Sequence, residues 1–249
     1  MSTLARDSAL RNRADPVDTA AELSRLEARL PPLLSVIAGM VDVTGFFTLG
    51  HIFTAHITGN LVVAAAAAVH AGPFNPAQAL AIIVFMMALA VVWLIAQASQ
   101  RHGSSLARLL LLVQFLLLAA VLVFSVITRP STDPTGLMAG IAVMIAVSAM
   151  ACQYALLRLA IPSAISTAVM TGNLTNTVLS LMDLLAKDRA MLPVDASHLK
   201  RSLHLLIGFL AGCFAGAAAV AALADWAWSL PSVLSGVALA FVHAAWRQA

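Results

Sequence analysis

The sequence TAHITGNL at residues 54–61 returns 113 residues later as TAVMTGNL at residues 167–174, with six of the eight positions identical. Each copy lies inside a long apolar stretch. A polar motif that contains glycine and recurs at equivalent places in two hydrophobic halves indicates a duplicated membrane protein. Residues that interrupt membrane helices at corresponding positions of two halves also point to the binding site of a transporter.

The composition predicts an all-α polytopic membrane protein. Of the 249 residues, 61% are hydrophobic and 10% are charged, whereas soluble domains carry about 25% charged residues. The net charge of +3 is therefore attributed to basic residues at the cytoplasmic side of the membrane, and no nucleic-acid partner is expected. Cys152 and Cys213 lie in apolar segments and are expected to be small core residues.

Residues 1–32 differ from the rest and are predicted to form a cytoplasmic tail. The first thirty hold five arginines and five acidic residues. They contain no apolar run, so a secretory signal is not expected. Residues 1–16 are expected to be disordered. Residues 17–30 place leucines on one face of a short amphipathic helix at the membrane surface, which is expected to stop at Pro31 and Pro32.

Two membrane repeats follow, over residues 33–128 and 136–247, and most of their apolar stretches approach the ~20 residues that cross a bilayer as a helix. The stretch that begins at His56 is short, and it and its counterpart carry Thr-Gly-Asn. The eight stretches cover residues 33–53, 56–72, 77–98, 106–128, 136–157, 163–186, 200–223 and 226–246.

Two topologies fit these stretches, both with a cytoplasmic N-terminus. Six crossing helices with two broken or re-entrant segments place every Lys and Arg inside except Arg129. Eight crossings place Arg101, Arg108 and Arg158 outside. The positive-inside rule favours six crossings, and three per half would invert the two repeats relative to each other. Eight crossings remain the alternative.

Asp42 is predicted to lie near the membrane midplane. It stands ten residues past Pro32, which is about 15 Å of helix in a core of about 30 Å. A carboxylate there normally faces the bundle interior or water, so Asp42 is a candidate to bind a proton, a cation or substrate. The alternative is a structural carboxylate that caps backbone groups. It lies on a narrow face of small residues: Ser35, Ala38, Gly39, Asp42 and Gly45.

The two Thr-Gly-Asn motifs offer hydroxyls, amides and backbone freed by a glycine break. Such groups can replace the hydration shell of an ion or hold a small polar solute, although Thr, Gly and Asn also serve as packing residues between membrane helices. His56 belongs to the first motif and is a candidate proton relay or substrate contact, whereas Val169 takes its place in the second. The predicted substrate- or ion-binding residues are Asp42, His56, Thr58, Gly59, Asn60, Gln153, Thr171, Gly172 and Asn173.

Other features predict packing. Gly208, Gly212 and Gly216 form a small-residue ladder of the kind that lets membrane helices approach closely. Signatures of hydrolases, metalloproteases and nucleotide-binding enzymes are missing from the sequence. The expectation is therefore a protein without enzymatic activity, cofactor or metal, although intramembrane acid–base catalysis by Asp42 and His56 remains an alternative.

The chain resembles the YoaK-like family of uncharacterised bacterial integral membrane proteins, a domain of unknown function. The resemblance covers roughly residues 33–245 and rests on AGMVD at 38–42 with Gly45, on FTAHITGN at 53–60, and on residues 166–172. It implies a multi-pass protein of the bacterial inner membrane, and it implies no activity. Relatives usually show Gln-Asn where this chain has Gln153-Tyr154.

The leading hypothesis is a small secondary transporter or permease for a small polar solute or ion, with a midplane site built from Asp42 and the two motifs. The alternative is a membrane scaffold or sensor whose polar motifs only pack helices. The expected partners are the lipid bilayer and an unidentified small solute or ion, and a homo-oligomer remains open.

Overall fold

The computed structural model describes residues 16–70, 75–99, 101–162, 164–167, 170–186 and 196–247. The expectation of disorder in the first residues of the tail lies outside these ranges. Every regular element within them is helical, which confirms the predicted all-α class. The elements are α1 (Pro16–Thr48), α2 (Ile57–His70), α3 (Pro76–Ser99), α4 (Gly103–Thr128), a 3-10 turn (Pro130–Thr132), α5 (Leu137–Leu159), α6 (Met170–Ala186), α7 (Ala196–Leu223), a 3-10 turn (Ala224–Trp228) and α8 (Ser229–Arg247).

Several of these helices are long and apolar enough to cross a bilayer, so the chain is a multi-pass membrane protein. Helices α7 and α8 follow each other through the second 3-10 turn, and their joint apolar stretch of 47 residues is about twice the length that one crossing needs. The five candidate stretches are Ala28–Thr48, Pro76–Ser99, Gly103–Thr128, Leu137–Leu159 and Leu199–Ala245.

Helix α1 corrects one prediction. It runs unbroken from Pro16 to Thr48 with Pro31 and Pro32 inside it, so the expected stop at these prolines was wrong. Each proline removes one backbone hydrogen bond, but neighbouring helices can compensate for such losses in a membrane bundle. Here α7 packs directly on this turn, since a β-carbon at Gly208 would lie 2.9 Å from the Pro32 carbonyl oxygen.

The glycine ladder of α7 packs closely on another helix, as predicted, and that helix is α1. A β-carbon at Gly212 would overlap the backbone of Val36, and one at Gly216 would lie 3.1 Å from the Cα of Met40. The Ser35 hydroxyl donates to the Leu205 carbonyl at 2.6 Å. Because the contacts on both helices advance together along the chain, α1 and α7 are parallel.

The connections gather at two ends of the bundle. At the first, named here the Gly50 end, Gly50 touches the Pro134 carbonyl and the side chain of Asn75, and the Ser131 hydroxyl donates to Asp225 at 2.6 Å. This end therefore holds the end of α1, the start of α3, the α4–α5 connection and the α7–α8 turn.

The opposite end, named here the Lys200 end, carries most of the positive charge. A cavity of about 320 Å³ there is lined by residues of the α1 segment near Pro31, the segment after α5 and Lys200 at the start of α7. A second depression brings Arg101, just before α4, close to His243 near the end of α8. Helices α1, α4 and α7 thus run from the Lys200 end to the Gly50 end, and α3, α5 and α8 run the other way.

The core is centred on α1 and α5, which the other helices surround. Apolar side chains of α5, among them Ala142, Ala146 and Met150, are fully buried. Helix α3 lies at the periphery and exposes large apolar side chains such as Met87 and Leu94. This pattern suits a bundle whose outer surface meets lipid tails, and it keeps polar side chains near the centre.

Candidate functional site

The segment after α1 folds back along that helix. Gly50 and His51 both have positive φ values, of 81° and 59°, and reverse the chain direction. Thr54 then lies against Gly45, where a β-carbon would be 2.9 Å from the Thr54 Cγ2. The chain therefore descends from the end of α1 to the level of Asp42, six residues or about 9 Å down the helix.

Asp42 holds this infolded segment through its carboxylate. Oδ1 accepts backbone N–H groups from Thr54 and Ala55, each at 2.8 Å, and from His56 at 3.4 Å. Oδ2 lies 2.6 Å from the His56 Nδ1. The residue is only 4% exposed. Asp42 thus caps backbone groups, as the structural alternative expected, and also pairs with the titratable side chain of the first motif.

His56 connects this pair to a cavity. The ring packs edge-on against Phe209 at 5.0 Å between centroids, and 33% of its side chain is exposed. Since Nδ1 is engaged by Asp42, Nε2 is the nitrogen that can exchange a proton with the cavity. The cavity has a volume of about 430 Å³ and is lined by Asp42, Val43, Phe46, Phe47, Phe53, His56, Phe209 and Cys213.

The asparagine of each motif closes the loop in front of its own helix. Asn60 donates to the Phe53 carbonyl at 2.7 Å and accepts the Phe53 N–H at 2.9 Å. Asn173 donates to the Ser166 carbonyl at 2.9 Å, across the same separation of seven residues. Both side chains are buried. Each amide group is therefore used within the loop of its own motif.

The threonines and glycines of the motifs lie away from the Asp42–His56 pair. Thr58 and Thr171 are exposed on the outer faces of α2 and α6, and Gly172 is half-buried. Gly59 packs under the Phe53 ring, which a β-carbon would approach to 3.0 Å. Within the described part of the chain, α2 and α6 do not pack on each other. Of the predicted site residues, the structure thus brings together the side chains of Asp42 and His56.

A family model described as "Protein of unknown function (DUF1275)" matches residues 30–241. The chain belongs to this family. It is also 60% identical over 30 residues to UPF0700 transmembrane protein YoaK of Bacillus subtilis (strain 168), a match that covers 12% of this chain and 13% of that relative. No solved structure matches the chain.

In this member of the DUF1275 family, Gln153 has a structural partner set. Its Nε2 donates to the Leu34 carbonyl at 2.9 Å, and its Oε1 accepts from the Gln114 Nε2 at 2.8 Å. Both glutamines are fully buried. This chain of amides ties α4 and α5 to α1, and Gln153 does not line the cavity beside Asp42.

Tyr154 is a residue at the site that the sequence did not single out. Its hydroxyl donates to the Ala55 carbonyl at 3.0 Å, and its ring packs edge-on against Phe85 with 6.0 Å between the ring centroids. The peptide of Ala55 is therefore held from both sides, by Asp42 at its N–H and by Tyr154 at its carbonyl. The one sequence feature that drew attention to this position was the tyrosine itself, since relatives usually have asparagine there.

The chemistry available at the site is proton exchange and binding of charge. Across the described residues, no three His, Cys, Asp or Glu side chains come together as a metal would require. A carboxylate paired with an imidazole can instead take up and release one proton, while the surrounding apolar walls strengthen its interaction with any charged ligand.

Proposed function

We propose that this protein is a small secondary transporter without enzymatic activity, and that Asp42 and His56 form its proton- and solute-binding pair. The observation that carries the proposal is the carboxylate–imidazole pair, held 2.6 Å apart at the tip of an infolded segment and open to a cavity. Intramembrane acids have a high cost and mark transport pathways and proton relays in membrane proteins. A cavity of about 430 Å³ lies within the range of small-ligand sites.

We infer six crossings, with the two motif segments entering and leaving the membrane at one side. Helix α2 begins one residue after His56, at the level of Asp42, and it ends at His70. Asn75 follows five residues later at the Gly50 end, where the segment started. Among the described arginines and lysines, only Arg129 lies at the Gly50 end. The positive-inside rule then favours a cytoplasmic Lys200 end.

The helix directions and pairings support an inverted repeat. Corresponding helices, α1 and α5, α3 and α7, and α4 and α8, run in opposite directions. Helix α1 packs on α7 just as α5 packs on α3, and α2 packs on α3 just as α6 packs on α7. Inverted repeats with broken helices are a common plan among secondary transporters, in which one repeat rocks against the other.

Accessibility of single cysteines tests this topology. We expect Cys placed at His102 to react only from the cytoplasmic side and Cys placed at Thr135 to react only from outside, in a background where Cys152 and Cys213 are alanine. Both positions are exposed. Eight crossings would reverse the two results, and that outcome would contradict the inverted repeat.

The charge of the pair favours a cationic solute that exchanges for a proton. With neutral His56 and ionised Asp42 the pair carries one net negative charge, and a proton on the His56 Nε2 brings it to zero. A cation and a proton therefore compete for the same pair. The four phenylalanine rings that line the cavity can also attract an organic cation through their faces.

A ligand screen on purified protein tests the proposal. We expect small quaternary and primary amines to raise the melting temperature of the wild type, more at alkaline than at acidic pH, and neutral or anionic solutes to have no effect. Asp42→Asn should remove the response, while Asp133→Asn, which changes an exposed carboxylate, should retain it. An equal response in Asp42→Asn would contradict the assignment of the pair.

A membrane scaffold or sensor is the second candidate. The observation that favours it is that Phe53 bonds both ends of the Asn60 amide and that Asn173 donates to a carbonyl of its own loop. If no cation, anion or neutral solute shifts the melting temperature, and Asp42→Asn changes only stability, the scaffold becomes the better account.

A further inference from the structure

A groove between α4 and α8 at the Lys200 end combines a basic mouth with an apolar floor. Its volume is about 750 Å³. The lining begins at Arg101, just before α4, and continues along one face of that helix through Ser105 and Arg108 to Phe115. On α8 it follows Gly236, Leu239, Ala240 and His243. None of the described residues that line it is acidic. It does not include Asp42, His56 or any residue of their cavity.

The polarity of the groove changes along the membrane normal. Arg101 and His243 are exposed and Arg108 is half-buried, so the positive charge lies at the Lys200 end. Deeper in the bundle the walls are Leu109, Leu112 and Phe115. Gly236 closes the floor against the Phe115 ring, since a β-carbon at Gly236 would lie 3.2 Å from the Phe115 Cε2. Helix α4 begins at Gly103, so about 18 Å of helix leads from its first residue to Phe115, and Arg101 lies two residues before that start.

This length matches one leaflet. Half of the hydrocarbon core is about 15 Å, and the remaining distance corresponds to the headgroup region at the helix end. A ligand that fills the groove must therefore present an anionic group beside two guanidinium groups and an extended apolar chain toward the midplane. Basic pockets between membrane helices on the cytoplasmic side recognise anionic lipid headgroups in this way.

We propose that the α4–α8 groove binds one anionic phospholipid of the leaflet at the Lys200 end. Arg101 and Arg108 contact the phosphate, since guanidinium groups match phosphate oxygens in charge and geometry. One acyl chain lies along Leu112 and Ala240 toward Phe115. Because α4 and α8 occupy corresponding places in the two halves, the lipid bridges the last helix of each.

The test compares phosphatidylglycerol and phosphatidylcholine of identical chain length, added to purified protein in detergent and measured by native mass spectrometry. We expect retention of phosphatidylglycerol in the wild type and about 25-fold weaker binding after Arg101→Gln with Arg108→Gln, because each basic residue near an anionic lipid contributes roughly fivefold. Arg158→Gln, an exposed arginine at the same end outside the groove, is the matched control and should bind like the wild type.

A second pair of variants separates the acyl chain from the headgroup. Ala240→Phe fills the groove from an exposed position, so phosphatidylglycerol binding should fall at least tenfold with both arginines intact. Val237→Phe, on another face of the same helix and 50% exposed, should leave binding unchanged. A single symmetric gel-filtration peak and an unchanged helical circular dichroism spectrum show that each variant is folded.

Three results would overturn the proposal. Equal loss in Arg158→Gln would mean that charge attracts lipid without a site. Undiminished binding in Ala240→Phe, together with competition by millimolar inorganic phosphate, would mean a phosphate site with no place for the chain. A change from one oligomeric state to another in Ala240→Phe, with lipid binding retained, would mean that a second copy of the chain occupies the groove.

Discussion

The two copies of the repeated octapeptide form the same loop closure but have different surroundings. In both, an asparagine bonds the carbonyl of the residue seven positions earlier. In the first copy the loop carries His56 and is also bonded by Asp42 and Tyr154. The same offset of 113 residues places Ala155, Val169 and Val41 at the corresponding positions, none of which has a polar side chain. The loop closure by asparagine is thus present in both copies, and the Asp42–His56 pair only in the first.

This difference teaches that a repeated motif marks architecture more directly than chemistry. The asparagine recurs because the loop before each motif helix must satisfy its own backbone groups. The carboxylate and imidazole are not needed for that closure, since the second copy closes without them. Their presence in one half only is what makes Asp42 and His56 candidates for function.

The largest expected effect is that of Asp42→Asn. The amide oxygen of asparagine can still accept the N–H groups of Thr54 and Ala55, so the loop and the fold should persist, but the pair with His56 loses its negative charge. We expect proton-coupled cation uptake by reconstituted protein to fall to the level of empty vesicles. Uptake in vesicles, with protein content and melting temperature measured in parallel, checks this.

Asp133→Asn serves as the control for that experiment and should transport like the wild type. If Asp42→Asn retains full uptake with unchanged or higher stability, Asp42 has no part in the mechanism. The comparison between the halves would then lose its functional meaning, and only the shared loop closure would remain.

Removing the asparagine from each copy should show how closely the two closures match. Asn60→Ala leaves both backbone groups of Phe53 without a partner, and we expect a loss of about 2–4 kcal/mol in the free energy of unfolding. Asn173→Ala should lose about 1–2 kcal/mol, because it removes the hydrogen bond to the Ser166 carbonyl. Thermal or denaturant unfolding in detergent measures both.

The control for the asparagine pair is Asn176→Ala, an exposed residue of α6 expected to change stability by less than about 0.5 kcal/mol. Of the two variants, only Asn60→Ala should also weaken cation binding, because Asn60 and not Asn173 bonds the loop that carries His56. Weaker binding in Asn173→Ala to the same degree would mean that both halves build the site.

Tyr154→Phe tests the hydrogen bond that joins α5 to the loop of the first motif. The change removes the hydroxyl that donates to Ala55 and keeps the ring against Phe85, so we expect a loss of about 1 kcal/mol in stability. Uptake should slow and the fold should persist, since Asp42 still holds the same peptide at its N–H. Unchanged uptake and stability would show that the Ala55 carbonyl needs no support from α5.

The smallest effect is expected at the threonines. Thr58→Ala and Thr171→Ala change exposed side chains, and each should alter stability by less than about 0.5 kcal/mol and leave ligand binding intact. Loss of ligand binding in both variants would mean that the threonines belong to the binding site. The outer faces of α2 and α6 would then have to turn inward during transport.

Much of the fold could be predicted from the sequence because hydrophobic length and small-residue spacing act locally. The helical class and the close packing of the glycine ladder follow from such patterns, whereas the partner helix does not. The continuity of α1 through Pro31 and Pro32 could not be predicted, since the contact that supports it comes from α7, far along the chain. Proline statistics alone favour a break there.

The candidate site was predictable only in part, for the same reason. Asp42 and His56 were found because ionisable residues are rare in apolar stretches. Nothing in the sequence shows that Asn60 forms hydrogen bonds with both backbone groups of Phe53, because these bonds depend on the return path of the loop. The partner of Tyr154, 99 residues away, is likewise a property of the folded bundle.

The parallel packing of α1 and α7 also has a consequence for how the protein is made. Ser35 on the first helix bonds Leu205, 170 residues later, and at about 5–20 residues per second the ribosome needs roughly 10–30 s to supply that partner. During this interval the small-residue face of α1 lacks the surface on which it finally packs. Insertion of the first helix and completion of its packing are therefore separate events, and a chain truncated before α7 would keep that face open to lipids, chaperones and membrane proteases.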